Sequence, residues 1–142
     1  MTEDATPTVK RFEPPIGTAS APFWEATRDK RLLLPWCTAC ERPLWYPREV
    51  CPRCLDSAIE WREASGRGRV YAVTVDYKPQ NPALAALGPY AVVLVELDEG
   101  VRLLGNMVGG DPEEVAVGMA VAVTWEPLSD GHHLVQFERA EP

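Results

Sequence analysis

The sequence predicts a mainly β protein: a short N-terminal helix, a cysteine-built zinc ribbon and a C-terminal barrel of five strands. Three observations carry this. The four cysteines fall as two C-x-x-C pairs, Cys37/Cys40 and Cys51/Cys54, with ten residues between them. From Trp61 onward apolar residues recur at every second position, the period of a strand with one buried face. Fourteen prolines and ten glycines in 142 residues favour short strands and turns over long helices. That length has room for one ordinary domain, or for a metal-stapled module beside a small barrel.

Residues 1–19 read as a flexible arm, to be ordered by a partner; the first 15 are polar and proline-marked, with only Val9 and Phe12 as sizeable apolar groups. Residues 20–34 form a helical extension. Ser20 is the expected N-cap, Pro22 suits the first turn, and the helix runs to about Lys30. It is too short to stand alone and must dock, either on its own chain or on a second protein.

Residues 35–60 are the ribbon. Leu32–Leu34 enters the first knuckle as a strand, Leu44–Pro47 returns from it, and Val50 leads into the second knuckle. A two-residue gap lets both thiolates of a knuckle point at one ion, and two knuckles complete the tetrahedral sulfur shell that zinc prefers. Iron fits the same four sulfurs, so the metal's identity stays open on spacing alone. Disulfides suit secreted chains, and the opening Met-Thr-Glu-Asp lacks an apolar signal region, so a cytoplasmic, reducing location is expected. With all four positions filled by protein sulfur, the expected zinc is structural. Its apparent binding energy of about 10–16 kcal/mol offsets the small core that a ribbon can bury.

Residues 61–142 are the barrel. Gly66–Gly68 turns the chain into Val70–Tyr77, with Tyr71, Val73, Val75 and Tyr77 expected on one face. A proline-rich connection leads to Tyr90–Leu97, and Asp98-Glu-Gly100 is a hairpin turn with a solvated tip into Val101–Val108. Asp111 caps a one-turn helix begun by Pro112 and completed by Glu114. Met119–Glu126 and His133–Glu138 supply the last two strands. Five strands with a short helix between the third and fourth describe the OB-fold, although strand order alone admits another small barrel.

Charge narrows the function classes. Residues 1–69 hold 11 Lys/Arg against 10 Asp/Glu, and residues 70–142 hold 3 against 11, a net of +1 and −8. A barrel at −8 repels phosphate backbones, so no nucleic-acid partner is expected. No run of about eighteen apolar residues exists, so no membrane partner is expected either.

Taken together, Cys37-x-x-Cys40, Tyr46-Pro-Arg48, Cys51-Pro-x-Cys54, Glu60-Trp61, Ser65-Gly-Arg-Gly68, Pro89-Tyr90, Val95–Gly100 and Gly118-Met119 resemble the acyl-CoA-associated zinc-ribbon/OB-fold family, long catalogued as a domain of unknown function. The resemblance covers residues 20–140. It implies a helical extension, a rubredoxin-like ribbon and an OB barrel. Members act beside thiolase-fold enzymes, and in archaeal assemblies the small protein bridges partners around a CoA ligand. This chain looks most like the branch that pairs with a lipid-transfer-protein-type aldolase, where the pair removes a steroid acyl-CoA side chain by retro-aldol cleavage. That implies two copies of each chain, acyl-CoA held mainly by the partner, and association with a MaoC-like hydratase. The chain is then either a stand-alone subunit or an excised domain.

No catalytic set is evident in the residues themselves. His132 and His133 are adjacent, so one should be solvated and the other edge-bound. Ser65 and Ser129 lie beside glycine in turns with no evident base, and every cysteine is assigned to metal. Phe23, Trp24, Trp36 and Trp45 are candidates for partner contact, weighed evenly against a place in the ribbon core. Arg28, Lys30 and Arg31, with Arg42, Arg48 and Arg53, could face CoA phosphates, but balanced solvated charge is the plainer reading. Three functions compete, in this order: a non-catalytic subunit of a thiolase-fold acyl-CoA enzyme, a single-strand nucleic-acid binder, and a stand-alone acyl-CoA enzyme.

Overall fold

The computed structural model describes residues 12–86 and 88–142. Most of the expected flexible arm, residues 1–11, lies outside the described residues.

Helix α1 spans Ala21–Thr27 with Pro22 in its first turn. Ser20 holds the N-cap position, but its hydroxyl donates to Gly17 O at 3.3 Å and caps no helical N–H, so the expected side-chain cap is not made. The other end is closed by backbone alone. Lys30 N–H donates to Thr27 O and Arg31 N–H to Ala26 O, at 3.0 and 3.1 Å, with Lys30 in the left-handed region at φ 56°. This paired return is a Schellman motif, and it turns the chain sharply into β1.

The ribbon is a three-stranded antiparallel sheet of β1 (Leu33–Cys37), β2 (Arg42–Pro43) and β3 (Ile59–Glu63), in the order β2-β1-β3. The return strand is shorter and earlier than expected: Arg42–Pro43 pairs with β1, and Leu44 N–H then donates to Pro35 O at 2.7 Å. β3 lies along the whole of β1, from Leu33 opposite Glu63 to Cys37 opposite Ile59. It therefore straddles the expected boundary at residue 60, and Trp61 pairs with Pro35 of the ribbon.

The barrel comprises β4 (Arg67–Asp76), β5 (Tyr90–Leu97), β6 (Arg102–Asn106), β7 (Ala120–Pro127) and β8 (His133–Arg139), ordered β6-β5-β4-β7-β8. The long β4 serves both halves, pairing with β5 over Gly68–Asp76 and with β7 over Arg67–Arg69. The edges β6 and β8 meet through a parallel bridge between Met107 and Phe137, where Val108 N–H donates to Phe137 O at 2.7 Å. A nearly closed five-stranded OB barrel results. A four-residue helix α2 (Pro82–Ala85) lies in the β4–β5 connection, capped by Asn81. Between β6 and β7, Asp111 caps a turn over Pro112–Glu114 by accepting from Glu113 N–H at 2.9 Å; the turn is 3-10 rather than α-helical.

One expectation fails inside β4. The pairing steps from Val70–Val95 to Ala72–Leu94, leaving Tyr71 as the extra residue of a bulge. The alternation resets there: Val70 points inward, Tyr71 and Ala72 are both exposed, and Val73 and Val75 return towards the core. Bulges of this kind let a strand curl around a small barrel.

The core is shared. Phe23 of α1 and Leu32 and Leu34 at the start of the ribbon pack with Val70, Val93, Val95, Leu97, Val121 and Phe137 of the barrel. A separate, smaller cluster holds Cys37, Leu44 and Cys51. Thr27 ties the helix to β8: its hydroxyl accepts from His133 N–H at 3.0 Å, and its carbonyl accepts from His133 Nδ1 at 2.7 Å. Helix and barrel are thus one packed body, with the metal knuckles projecting beyond it.

Candidate metal centre and surrounding surfaces

The four cysteine sulfurs lie within 4.8 Å of one another, with Cys37 and Cys54 at 3.6 Å and Cys40 and Cys51 at 4.0 Å. Zinc–sulfur bonds of about 2.3 Å in a tetrahedron place sulfurs about 3.8 Å apart, so the residues present fit the ion. Each knuckle is built by backbone. Cys40 N–H points to Cys37 Sγ at 3.4 Å, and Leu55 N–H closes the second turn on Cys51 O at 2.9 Å. The residue after each second cysteine, Glu41 at φ 54° and Leu55 at φ 64°, is left-handed. Both positions would suit glycine, so each knuckle carries backbone strain that metal binding must outweigh.

The thiols share protons unequally. The backbone N–H of Cys54 lowers Cys51 to about 6. Cys54 is pushed up to about 12: the N–H of Asp56 acts to lower it, but hydrogen bonding with Cys40, burial, and the Cys37 and Cys51 sulfurs outweigh that. Zinc takes the thiolate form, so filling the site releases the thiol protons. Filling all four positions with sulfur leaves none for substrate, so the zinc is structural.

Three of the four expected partner residues, Phe23, Trp24 and Trp45, meet at an apolar groove of about 340 Å³ between α1, the first knuckle's exit and strands β6 and β8. Trp24, Trp45, Tyr46 and Leu104 line it, the last two each 61% exposed. Phe23 also reaches it but is only 6% exposed, its ring edge-on to Trp24 and Trp45 at 5.1 and 5.3 Å; core packing is its main part. Trp36 lies elsewhere, under the Arg62 guanidinium at 5.0 Å. Sequence reasoning missed Tyr46 and Leu104, because nothing in a strand's alternation reveals which outward residues gather beside a helix.

Of the basic residues Arg28, Lys30 and Arg31, the last two share a cleft and Arg28 lies apart from it. Arg28 pairs with Glu25 at 3.3 Å and donates to Asp130 O at 2.9 Å, fastening the helix to the β7–β8 turn. Arg31 pairs with Glu63 at 3.3 Å, and it lines a small polar cleft with Lys30. His132 is buried, not solvated, with Nδ1 2.7 Å from Asp130 Oδ2 and Nε2 3.8 Å from Glu25. His133 therefore joins helix to barrel, while His132 braces the β7–β8 turn through Asp130. Ser65 and Ser129 each meet a carboxylate that sequence did not predict. Glu99 takes Ser65 N–H at 2.8 Å and lies 3.3 Å from its hydroxyl, so the β5–β6 hairpin tip is not free in solvent. Glu13 takes both N–H and O–H of Ser129 at 2.8 Å. Each carboxylate grips backbone and side chain of one turn, which staples the turn rather than activating a nucleophile.

A short helix, a four-cysteine ribbon and an OB barrel sharing one core define a ribbon–barrel class of metal-stapled module. Two family models match in sequence: "ChsH2, rubredoxin-like zinc ribbon domain" over residues 24–60 and "ChsH2, C-terminal OB-fold domain" over residues 61–126. A "DUF35 domain-containing scaffold protein" of Methanocaldococcus jannaschii is 32% identical over 66% of this chain and 67% of its own length. A "Probable enoyl-CoA hydratase alpha subunit" of Thermomonospora curvata is 38% identical over 96% of this chain, and a "3-oxo-4,17-pregnadiene-20-carboxyl-CoA hydratase alpha subunit" of Mycobacterium tuberculosis is 42% identical over 51%. The chain spans 42% and 22% of those two proteins' lengths. Among solved structures, a chain of the "Ltp2-ChsH2(DUF35) aldolase" superposes with a TM-score of 0.82 at 36% identity, over 91% of this chain and 100% of that one. The chain belongs to the DUF35 family.

Proposed function

We propose that this chain is a non-catalytic subunit or domain that binds and supports a thiolase-fold acyl-CoA enzyme, the reaction being retro-aldol cleavage of a steroid acyl-CoA side chain. The observation that carries the reading is the match, over the whole length of that chain, to the DUF35 component of an aldolase complex at 36% identity. The scaffold name of the archaeal relative and the steroid acyl-CoA in the Mycobacterium relative's name point the same way. The hydratase names support association with a hydratase as well.

The physics of the chain suits support rather than chemistry. The metal is enclosed by sulfur, and His132, His133, Ser65 and Ser129 hold elements together. The apolar groove around Trp24, Trp45, Tyr46 and Leu104 has the aromatic composition of an interface core, and it is the surface we assign to the enzyme partner. The complex follows the partner's two-fold axis with two copies of each chain, and the acyl-CoA is held mainly by the partner. A reducing cytoplasm suits the four thiolates. No helix among the described residues is long and apolar enough to cross a membrane.

The test is an aldolase assay with an Ltp2-type enzyme and a steroid acyl-CoA bearing the side-chain hydroxyl that retro-aldol cleavage requires. Cleavage should need both proteins, and the chain alone should release nothing. Turnover by this chain without a partner would refute the proposal.

A further inference from the structure

The barrel stays open along one seam, and that seam lies in the floor of the apolar groove. β6 and β8 meet through the parallel bridge at Met107 and Phe137, and Gln136 Oε1 accepts from Asn106 N–H at 2.7 Å beside it. Towards the start of both strands the contact lapses, and there Leu103 and Leu104 of β6 and Leu134 and Val135 of β8 line the groove. We infer that the groove takes an extended segment of the enzyme partner by strand addition, its backbone pairing along the open edge of β6 at Leu104 and an apolar side chain entering between Trp24, Trp45 and Tyr46. This rests on the enzyme-partner reading and adds how the partner is held.

Hydrogen-bond alternation fixes which backbone groups face the seam. In an antiparallel ladder, successive residues turn their N–H and C=O to opposite sides. Val101 O accepts from Leu97 N–H at 2.9 Å, and Met107 N–H donates to Ala91 O at 3.0 Å, so these two residues bond to β5. Leu104, an odd number of positions from each, therefore turns both groups away from β5. On β8, His133 N–H donates to Thr27 Oγ1 and Phe137 O accepts from Val108 N–H, so Val135 midway between them turns away from β7. Among the described residues no hydrogen bond crosses the seam at Leu104 or Val135. Leu104 is 61% exposed, so its edge is open to a strand, whereas Val135 is buried, where an unpaired backbone group is costly. A further donor on the groove wall, the buried Nε1–H of Trp45, has no acceptor among the described residues.

These unused groups decide the chemistry of the occupant. A purely apolar ligand would fill the groove and leave Leu104, Val135 and Trp45 unpaired. A peptide brings an N–H and a C=O with every residue, and in strand addition those bonds give affinity while side-chain pockets give specificity. Charge then decides between peptides. None of the described residues lining the groove is charged, so the segment is apolar at its centre. At the β8 end, Glu13 and Glu25 each stand one residue from a groove-lining residue, Pro14 and Trp24, and Asp130 lies in the turn that leads into β8. One arginine, Arg28, is bonded among these acids, through Glu25 and Asp130 O. A second copy of the chain, at −7, carries the same excess and is repelled. A partner segment with lysine or arginine beside its apolar centre complements both the groove and its rim.

The experiment titrates the zinc-loaded chain with an Ltp2-type aldolase by calorimetry and reads amide hydrogen exchange on the chain alone and in the complex. Leu104→Ala and Leu104→Pro both remove the side chain, but only proline removes the N–H that faces the seam, and an edge strand tolerates proline there. Leu104→Pro should bind the aldolase at least fivefold more weakly than Leu104→Ala, with equal zinc content. In the free parent chain the Leu104 amide should exchange at least tenfold faster than those of Leu103 and Gly105, which bond to β5, and the aldolase should slow it at least tenfold. The exchange measurement needs no variant, so it decides the matter even if Leu104→Pro fails to fold. A complex equally strong with proline and alanine, or an aldolase that leaves Leu104 exchange unchanged, overturns strand addition alone. Slow Leu104 exchange in the free chain also overturns it: the edge is then covered by residues 1–11 if light scattering gives a monomer, or by a second copy if it gives a dimer. Absence of any complex with the parent chain overturns the enzyme-partner reading and strand addition with it.

Discussion

Replacing Gly68 by alanine tests the barrel's construction at its tightest point. Gly68 sits in β4 where that strand is flanked on both sides, opposite Leu97 of β5 and Val121 of β7. A Cβ there would lie 2.3 Å from Glu96 O and 2.9 Å from Leu97 Cα, whereas ordinary contact begins at 3.4 Å. The obstructing atoms are backbone, so no rotamer change relieves the overlap, and β4 and β5 must part by about 1 Å. Overpacking of this kind costs about 1–3 kcal/mol, and a ladder hydrogen bond stretched out of range adds about 1 kcal/mol. Alanine restores about 0.4–1 kcal/mol by restricting the unfolded chain. The net loss is about 1–3.6 kcal/mol, or a fall in Tm of about 4–12 °C for a chain of this size. Urea unfolding of the zinc-loaded protein, followed by tryptophan fluorescence, measures it. Gly17→Ala is the control, since its nearest neighbour is Ser20 Oγ at 3.9 Å, and it should leave the midpoint in place. An unchanged midpoint for Gly68→Ala would show that β4 is not clamped between β5 and β7 as described.

Leu55→Gly should stabilise the protein by about 1 kcal/mol, because it removes a left-handed leucine and, at 76% exposure, little packing goes with it; thermal melts of the holo form check this. Chelation should release one zinc per chain and expose four thiols to titration, with loss of order at the knuckles while the larger core shared by helix, ribbon base and barrel persists; spectrophotometric zinc release and circular dichroism follow the two events. Asp130 is held below its ordinary value of 3.8 by its hydrogen bond from His132. A lowered carboxylate contributes stability that is full above the unfolded value and lost as the pH falls through the lower folded one. Asp130→Asn should therefore flatten the acid limb of the stability–pH curve, as measured by denaturation between pH 2 and pH 5.

The metal centre was legible because tetrahedral sulfur ligation needs two short knuckles, and Cys37/Cys40 and Cys51/Cys54 leave no other economical arrangement. The barrel was legible through period-two alternation and the Asp111-Pro112 turn signal. Contacts between distant segments were not. Thr27 meets His133 across 106 positions, and β3 lies on β1 rather than leading the barrel, because strand pairing is chosen by packing that no local pattern records. The bulge at Tyr71 was hidden for a related reason: the chain alternates smoothly through it, and curvature arises from closing β6 on β8. Lone serines in turns gave no hint of Glu13 and Glu99, which arrive from remote sequence. The apolar groove was invisible in the sequence, since it exists only where the helix, the first knuckle's exit and the barrel meet.

The central claim is that a zinc-held ribbon and an acidic barrel present an apolar groove to an enzyme partner. Size-exclusion chromatography with multi-angle light scattering, on the chain mixed with an Ltp2-type aldolase, tests this most directly. The account predicts one species containing two copies of each chain, dispersed into separate proteins by Leu104→Asp while zinc content and fold are retained. Two independent peaks from the parent protein, or an unaltered complex with Leu104→Asp, would contradict it.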